Sequence, residues 1–132
     1  MTSLELAKQF ILNRNKDISK NTIYYWGITL KNNHKLIGTI CFWNLSDNKT
    51  YSEIGYDLVP EFQNKGIMNE VFKEVILFGI ETLKLHKIEA FTQYKNESSI
   101  KLLLNNKFVL QKEKRDEGFP DNRIYSLEKF SL

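Results

Sequence analysis

Between Glu53 and Leu83 the hydrophobic rhythm of the chain changes, and the change falls on Val59-Pro60-Glu61-Phe62-Gln63-Asn64-Lys65-Gly66-Ile67-Met68. Upstream, Glu53-Ile54-Gly55-Tyr56-Asp57-Leu58-Val59 alternates with a period of two; downstream, Met68, Val71, Phe72, Val75, Phe78 and Leu83 recur at helical spacing. The two periods predict a strand, a short loop and a helix. Pro60 stops the strand, and Gly66 lets another backbone or a ligand approach closely. A helix start leaves unpaired N–H groups and a partial positive charge pointing outward. No Asp, Ser or Thr stands where it could cap these donors, so the junction predicts a cradle for a phosphate-bearing ligand, with Lys65 as a mobile cation beside it. Every helix start shares those free groups, and one glycine near a loop is common.

The elements on either side limit the fold. Leu4, Ala7, Phe10 and Ile11 predict a short amphipathic helix over Leu4–Asn13, capped by Thr2 or Ser3. Ile23–Leu30 and Leu36–Trp43 are rich in β-branched and aromatic residues and read as a hairpin turning at Asn32-Asn33. A third strand, Tyr51–Val59, leads to the cradle and to a helix from Ile67 to Leu83 in which Gly79 is mildly unfavourable. Lys87–Tyr94 reads as a strand, and a helix capped by Asn96 or Ser98 runs through Leu102, Leu103 and Leu104. Phe108–Lys112 and Ile124–Phe130 read as the last strands, separated by a turn at Gly118–Asn122. Hairpins demand antiparallel neighbours and β-α-β passages demand parallel ones, so the order β, β, β, α, β, α, β, β predicts an α/β fold on a mixed sheet.

Composition narrows the class. The 132 residues, 42% hydrophobic and 13% aromatic, fit one domain over 1–132 with an ample core. A net charge of +3 without a basic stripe gives no footprint for nucleic acid. No apolar run is long enough to span a membrane and no charged start precedes an apolar signal core, so a cytoplasmic protein is expected. Cys41, the sole cysteine, lies in an apolar run and reads as a packed thiol. His34 falls in the polar Lys31–Lys35 turn and His86 follows a helix, neither with partners at ligand spacing, so no metal site is expected. Trp26, Trp43, Phe72 and Phe78 read as core.

Two ordered motifs carry a resemblance. Gln63-Asn64-Lys65-Gly66-Ile67-Met68, after Glu53-Ile54-Gly55-Tyr56 and Pro60-Glu61-Phe62, matches the pattern Gln/Arg-x-x-Gly-x-Gly/Ala, with Met68 in place of the final small residue. Asn96-x-x-Ser99-x-x-Leu102-Leu103, ending at Phe108, matches Asn-x-x-Ser/Ala-x-x-Leu-Leu/Tyr. Over nearly its whole length the chain resembles the GNAT superfamily of acyl-CoA-dependent N-acetyltransferases, most closely the branch similar to ribosomal-protein N-terminal acetyltransferases.

The resemblance implies a single-domain GNAT-like mixed, splayed sheet flanked by helices, with acetyl-CoA as donor and an amine as acceptor. It implies pyrophosphate on the backbone N–H groups of Asn64, Lys65, Gly66, Ile67 and Met68, with Gln63 in the same loop. The pantetheine arm would lie beside the third strand, where amides near Leu58 and Val59 hold it and polarise the thioester, and Asn96 would help place it. Leu103 stands where many members carry a tyrosine that protonates the leaving thiolate, and Lys107 stands where a glycine is usual. Relatives carry a first strand and helix ahead of the segment that Leu4–Asn13 matches, so a fold lacking that strand is expected, with an open acceptor groove, a sheet edge that pairs with a second copy, or a truncated gene product as the alternatives.

Direct attack on a thioester needs a deprotonated amine, hence a proton acceptor. Glu53, Gly55, Asp57 and Val59 share one strand face, and Gly55 leaves room beside the Glu53 carboxylate, which makes Glu53 the candidate base. The competing reading has Glu53 and Asp57 facing water or paired with lysines. For Asn96 a helix cap alone would suffice. A non-catalytic acyl-CoA-binding or protein-interaction module is the alternative to an N-acetyltransferase acting on a protein N-terminus, a peptide or a small-molecule amine.

Overall fold

A computed structural model describes residues 13–15, 23–30 and 33–129 of the chain. The helix expected over Leu4–Asn13 lies outside these residues, except that Asn13 opens a strand. The strands are β1 (Asn13–Asn15), β2 (Ile23–Leu30), β3 (Asn33–Trp43), β4 (Tyr51–Leu58), β5 (Lys87–Gln93), β6 (Val109–Leu110) and β7 (Asn122–Glu128). The helices are α1 (Ile67–Glu81) and α2 (Glu97–Asn105), and a single 3-10 turn occupies Pro60–Phe62. The order across the sheet is β1-β2-β3-β4-β5-β7-β6. Every neighbouring pair is antiparallel except β4 and β5, which α1 connects by a crossover. The expected mixed α/β sheet is therefore present, but only the first β-α-β passage gives parallel neighbours: after α2 the chain skips a place, and β7 returns between β5 and β6, antiparallel to both.

The differences are local. β3 begins at Asn33, three residues before the expected Leu36, because β2 pairs past a register shift, Thr29 with Leu36 and Leu30 with Asn33. His34 therefore sits in a strand. β6 keeps two residues of the expected Phe108–Lys112, and Gln111 beyond it still donates its backbone N–H to the Ile124 carbonyl.

Register decides which side chains meet. Trp26 pairs with Ile40, Phe42 with Ile54, Ser52 with Ile88, and Ala90 with Tyr125, so these residues share one face of the sheet. Onto that face α1 lays Val71, Phe72, Val75, Ile76 and Ile80, all buried. Phe78 meets the edge of Trp26 at 5.4 Å between ring centres, and Phe72 meets Tyr56 at 5.3 Å. Each fully buried Phe contributes roughly 1.5–3 kcal/mol through apolar area removed from water. Gly79 is what lets the helix lie this close: a Cβ there would stand 2.6 Å from Phe42 Cζ. Its helix-propensity cost is the condition of the contact.

Trp43 is a correction. It follows the sealed Phe42, so alternation turns it to the opposite face, where it is 44% exposed beside Cys41 and Gly55. Phe42 is buried completely. Hydrophobicity alone placed Trp43 inside; strand parity turns it out while its neighbour Phe42 faces the core.

Candidate functional site

The parallel pairing of β4 and β5 covers Tyr51 with Lys87, Ser52 with Ile88 and Glu53 with Glu89, and then stops. Beyond it β4 stays with β3 as far as Leu58, and β5 stays with β7 as far as Gln93, so the two strands part while each remains in a ladder on its outer side. The inner edge of β4 is left open. Val59 N–H donates to the Ile37 carbonyl at 2.8 Å, on the β3 side. Strand alternation then turns the N–H groups of Leu58 and Tyr56 toward the split. This corrects the expectation for Val59: its amide belongs to the β3 side and has no donor left for a ligand.

The split holds a cavity of about 320 Å³ with Gly55, Tyr56, Phe91, Thr92, Asn96 and Ser99 in its wall. A larger groove of about 430 Å³ continues past the end of β4 to the start of α1, lined among others by Leu58, Gln63, Asn64, Gly66, Met68, Asn69 and Asn96. Tyr56, Asn96 and Ser99 line both. Of the predicted loop residues, Leu58, Gln63, Asn64, Gly66, Met68 and Asn96 are thus brought together, while Val59, Lys65 and Ile67 are not in the wall. Lys65 Nζ instead lies 5.9 Å from the centre of the Phe62 ring.

The loop is built for exposed amides. Phe62 and Gln63 donate backward into the 3-10 turn, and the next internal backbone bond is from Glu70 N–H to Gly66 O. Among the described residues, the N–H groups from Asn64 to Asn69 have no acceptor in the chain. Gly66 is itself the N-cap of α1, at φ 80°, with no side chain capping the helix. Asn64 also takes a left-handed φ of 60° and accepts a hydrogen bond from Ser98 Oγ at 3.0 Å, which ties the loop to α2. Gln63 Nε2 donates to the Leu58 carbonyl at 2.8 Å and so braces the strand end. Six outward amides at a helix N-terminus suit a phosphate or pyrophosphate. The cap of α2 is Asn96, whose Oδ1 accepts from Ser99 N–H at 3.1 Å, rather than Ser98.

Glu53 sits where the strands part, on the sheet face that carries Trp43 and Gly55. Asn44 Nδ2 donates to Glu53 Oε2 at 2.6 Å. Burial raises the carboxyl above its ordinary value; the Asn44 bond opposes the rise, and the charges of Glu89 and Asp116 add to it. Glu53 lies outside the walls of both cavities. Glu89, opposite it, is 5% exposed and accepts from Tyr51 OH at 2.7 Å and Lys114 Nζ at 2.6 Å, with Lys87 Nζ at 3.6 Å. Burial raises this carboxyl too, but the bonds from Lys114 and Tyr51 and the two lysine charges outweigh it, and its value is lowered.

Sequence reasoning missed Glu89 and the contact between Tyr56 OH and Ser99 Oγ, 2.5 Å apart. The second was half visible, since Tyr56 and Ser99 each belong to a quoted motif. Leu103 is sealed in the core. Lys107 takes φ 70° in the left-handed closing turn of α2, with Lys107 N–H donating to Leu104 O and Phe108 N–H to Leu103 O. Phe119 is 61% exposed. Among the described residues, no group of three or more His, Cys, Asp or Glu could hold a metal ion, and no helix is long and apolar enough to cross a membrane.

Residues 1–109 match the acetyltransferase (GNAT) domain family. The chain is 37% identical over 109 residues to the uncharacterized N-acetyltransferase YoaA of Bacillus subtilis (strain 168), covering 79% of this chain and 62% of that protein. It is 34% identical over 108 residues to the uncharacterized N-acetyltransferase p20 of Bacillus licheniformis, covering 81% and 60%. The chain thus spans about three fifths of the length of these curated relatives. Among solved structures, ribosomal-protein-S5-alanine acetyltransferase from Vibrio fischeri is 30% identical, with a TM-score of 0.71 over 80% of this chain and 61% of that one. Campylobacter jejuni N-acetyltransferase PseH in complex with acetyl coenzyme A shares the fold at 23% identity, with a TM-score of 0.66 over 86% and 72%.

Proposed function

Because the chain belongs to the GNAT acetyltransferase domain family, we propose that it transfers an acetyl group from acetyl-CoA to a primary amine by direct attack on the thioester. The observation that carries this reading is the parting of β4 from β5 at Glu53 and Glu89, which joins a cavity in the sheet to a groove ending on six unpaired amides.

In this reading the amides of Asn64 to Met68 take the coenzyme pyrophosphate. The pantetheine arm runs past Leu58, whose N–H faces the split, and Asn96 flanks the passage from groove to split. The thioester then lies beside donors held rigidly by the β3–β4 ladder, which supplies preorganised stabilisation for the oxyanion. Glu53 accepts the proton released by the attacking amine, directly or through water. Its raised pKa moves it closer to the basicity that such a role needs near neutral pH. The acceptor is a protein N-terminus, a peptide or a small-molecule amine. The reading extends to a cytoplasmic protein with no nucleic-acid or membrane partner, able to pair with a second copy along a sheet edge.

The test combines two measurements. Acetyl-CoA should raise the melting temperature of the protein, and a panel of amines should produce thiol release with at least one member. Stabilisation without thiol release for any amine would leave an acyl-CoA-binding module instead; no stabilisation would reject both.

A further inference from the structure

A carboxylate that takes a proton from an amine must keep one oxygen open to it, and must itself be ionised when the amine arrives. Glu53 meets the first condition. Its Oε2 accepts from Asn44 Nδ2 at 2.6 Å, and among the described residues its Oε1 has no partner. Asn44 makes this contact against the parity of its strand. Phe42 faces α1, and Trp43, paired with Glu53, faces away, so an extended residue 44 would turn its side chain back toward the helix layer. Instead the chain leaves β3 with Asn44 at φ 53°, in the left-handed region, and the amide returns to the face that carries Glu53.

The left-handed backbone explains only part of the residue's identity. Glycine takes that conformation at no steric cost, and aspartate visits it as asparagine does. Neither offers a side-chain N–H to a carboxylate. What asparagine adds is a donor directed at one oxygen of Glu53.

The second condition is electrostatic. Glu89 stands in register with Glu53 on β5, and Asp116 acts on it from the segment between β6 and β7. Tyr51, on the same strand, is held protonated by burial and by its bond to Glu89. The lysines at this boundary, Lys114 and Lys87, are both drawn to Glu89. Burial, Glu89 and Asp116 all raise the Glu53 carboxyl, and the Asn44 bond opposes them.

On the reading of the site given above, we propose that Asn44 is the positioning residue of the proton acceptor: it fixes Oε2 of Glu53, leaves Oε1 for the proton of the attacking amine, and favours the ionised carboxylate. The proton passes from the amine nitrogen to Oε1 and then to water. Asn44 exchanges no proton.

Two substitutions separate this role from the backbone's. Asn44→Gly keeps the left-handed turn and removes the donor, whereas Asn44→Asp keeps the shape and replaces the donor with a like charge. The test measures kcat/KM against pH for an amine that the unchanged protein acetylates, melting temperature, and the titration of the Glu53 carboxyl by carbon NMR with no amine or coenzyme present. The ionisation of the amine itself is common to all three proteins and cancels in the comparison. Asn44 is exposed, so water replaces the lost amide in part. Asn44→Gly should lower kcat/KM by about tenfold on the acidic side of the profile and by less than about threefold on the alkaline side, with the melting temperature held. The Glu53 titration should move to higher pH in Asn44→Gly and further in Asn44→Asp, and the acidic limb of the rate profile should move with it.

A Glu53 titration that is the same in Asn44→Gly and the unchanged protein would overturn the proposal, whatever the chemistry of the site. A shifted titration with an unshifted rate profile would overturn the catalytic part and leave the acetyltransferase reading standing. A uniform loss of rate at every pH, in step with a lowered melting temperature, would assign Asn44 to the turn alone and overturn its positioning role. If the unchanged protein acetylates no amine, the acetyltransferase reading fails and the positioning role with it, even where the NMR titration supports the contact.

Discussion

The two halves of the β4–β5 boundary differ in everything but their strands. In the first half, Tyr51–Glu53 pairs with Lys87–Glu89, and Glu89 gathers Tyr51, Lys114 and Lys87 around a buried carboxylate. In the second half the strands have no ladder between them, and the wall consists of a strand edge, Tyr56, Phe91 and the cap of α2. The closed half pairs the two strands backbone to backbone, whereas the open half leaves the inner-edge N–H groups of β4 without a strand partner while Tyr56, Ser99 and Asn96 bond one another. Glu53 and Glu89 stand at the boundary, in register and on one face, with shifts of opposite sign. A carboxylate surrounded by cations serves the fold, whereas Glu53 keeps one amide against two acidic neighbours, the setting on which its proposed role as proton acceptor rests.

The largest test of this contrast is Glu53→Gln. Turnover should fall by about 100-fold if Glu53 accepts the amine proton, with coenzyme affinity unchanged. An unaltered pH–rate profile would return Glu53 to the solvated surface. The same substitution should raise the melting temperature slightly near neutral pH, because the folded state binds the Glu53 proton more tightly than the unfolded chain and pays for ionising it.

Glu89→Ala should act in the opposite sense, lowering stability by about 1–3 kcal/mol in chemical denaturation. Lys114 is nearly half exposed and can return to water, which keeps the loss below that of a fully buried pair. The Glu89 pKa is lowered on folding, so its stabilisation is complete above the ordinary carboxylate value of 4.5 and drains away as pH falls through the lower folded value. A stability curve for Glu89→Ala that parallels the unchanged protein through that window would show that Glu89 carries no such linkage.

Smaller effects are expected at two left-handed positions. Gly66→Val should weaken acetyl-CoA binding by about tenfold or more, since a branched side chain at φ 80° strains the loop by roughly 1–2 kcal/mol and stands among the outward amides. The space around the missing Cβ is open, so the fold should survive. Unchanged affinity by calorimetry would reject the loop as the pyrophosphate site. Lys107→Gly relieves the same strain in the closing turn of α2, far from chemistry, and should stabilise by about 1 kcal/mol with kcat unaltered. A lower melting temperature would show that the Lys107 side chain contributes more than its backbone costs.

The sheet was legible because its strands alternate strongly and its connections differ in length: a hairpin cannot be parallel, and a crossover through α1 cannot be antiparallel to its neighbour. The loop was legible because Pro60 and Gly66 punctuate a change of period. What the residues did not reveal was where the parallel ladder ends, since pairing is a relation between strands and Ile54 to Leu58 reads like any half-buried run. For the same reason Trp43 was misplaced and Glu89 overlooked. Its environment is assembled from Tyr51, Lys87 and Lys114, residues that no local pattern connects. Asn13–Asn15, a polar segment, forms a strand through pairing with Ile23–Tyr25 rather than through its own propensity.

The bond between Tyr56 and Ser99 also bears on how the chain reaches its native state. It joins residues 43 positions apart, across α1, β5 and the start of α2, and the β4–β5 pairing spans almost as much chain. Contacts that distant form only after the intervening segment has been ordered, so their closure entropy delays them relative to the β2–β3 and β3–β4 hairpins. The cavity wall is therefore expected to be among the last parts of the molecule to consolidate and the first to loosen. A coenzyme that spans groove and split would hold both sides of this late seam, slowing unfolding more than refolding, and hydrogen exchange at Tyr56 and Ser99 would register the difference.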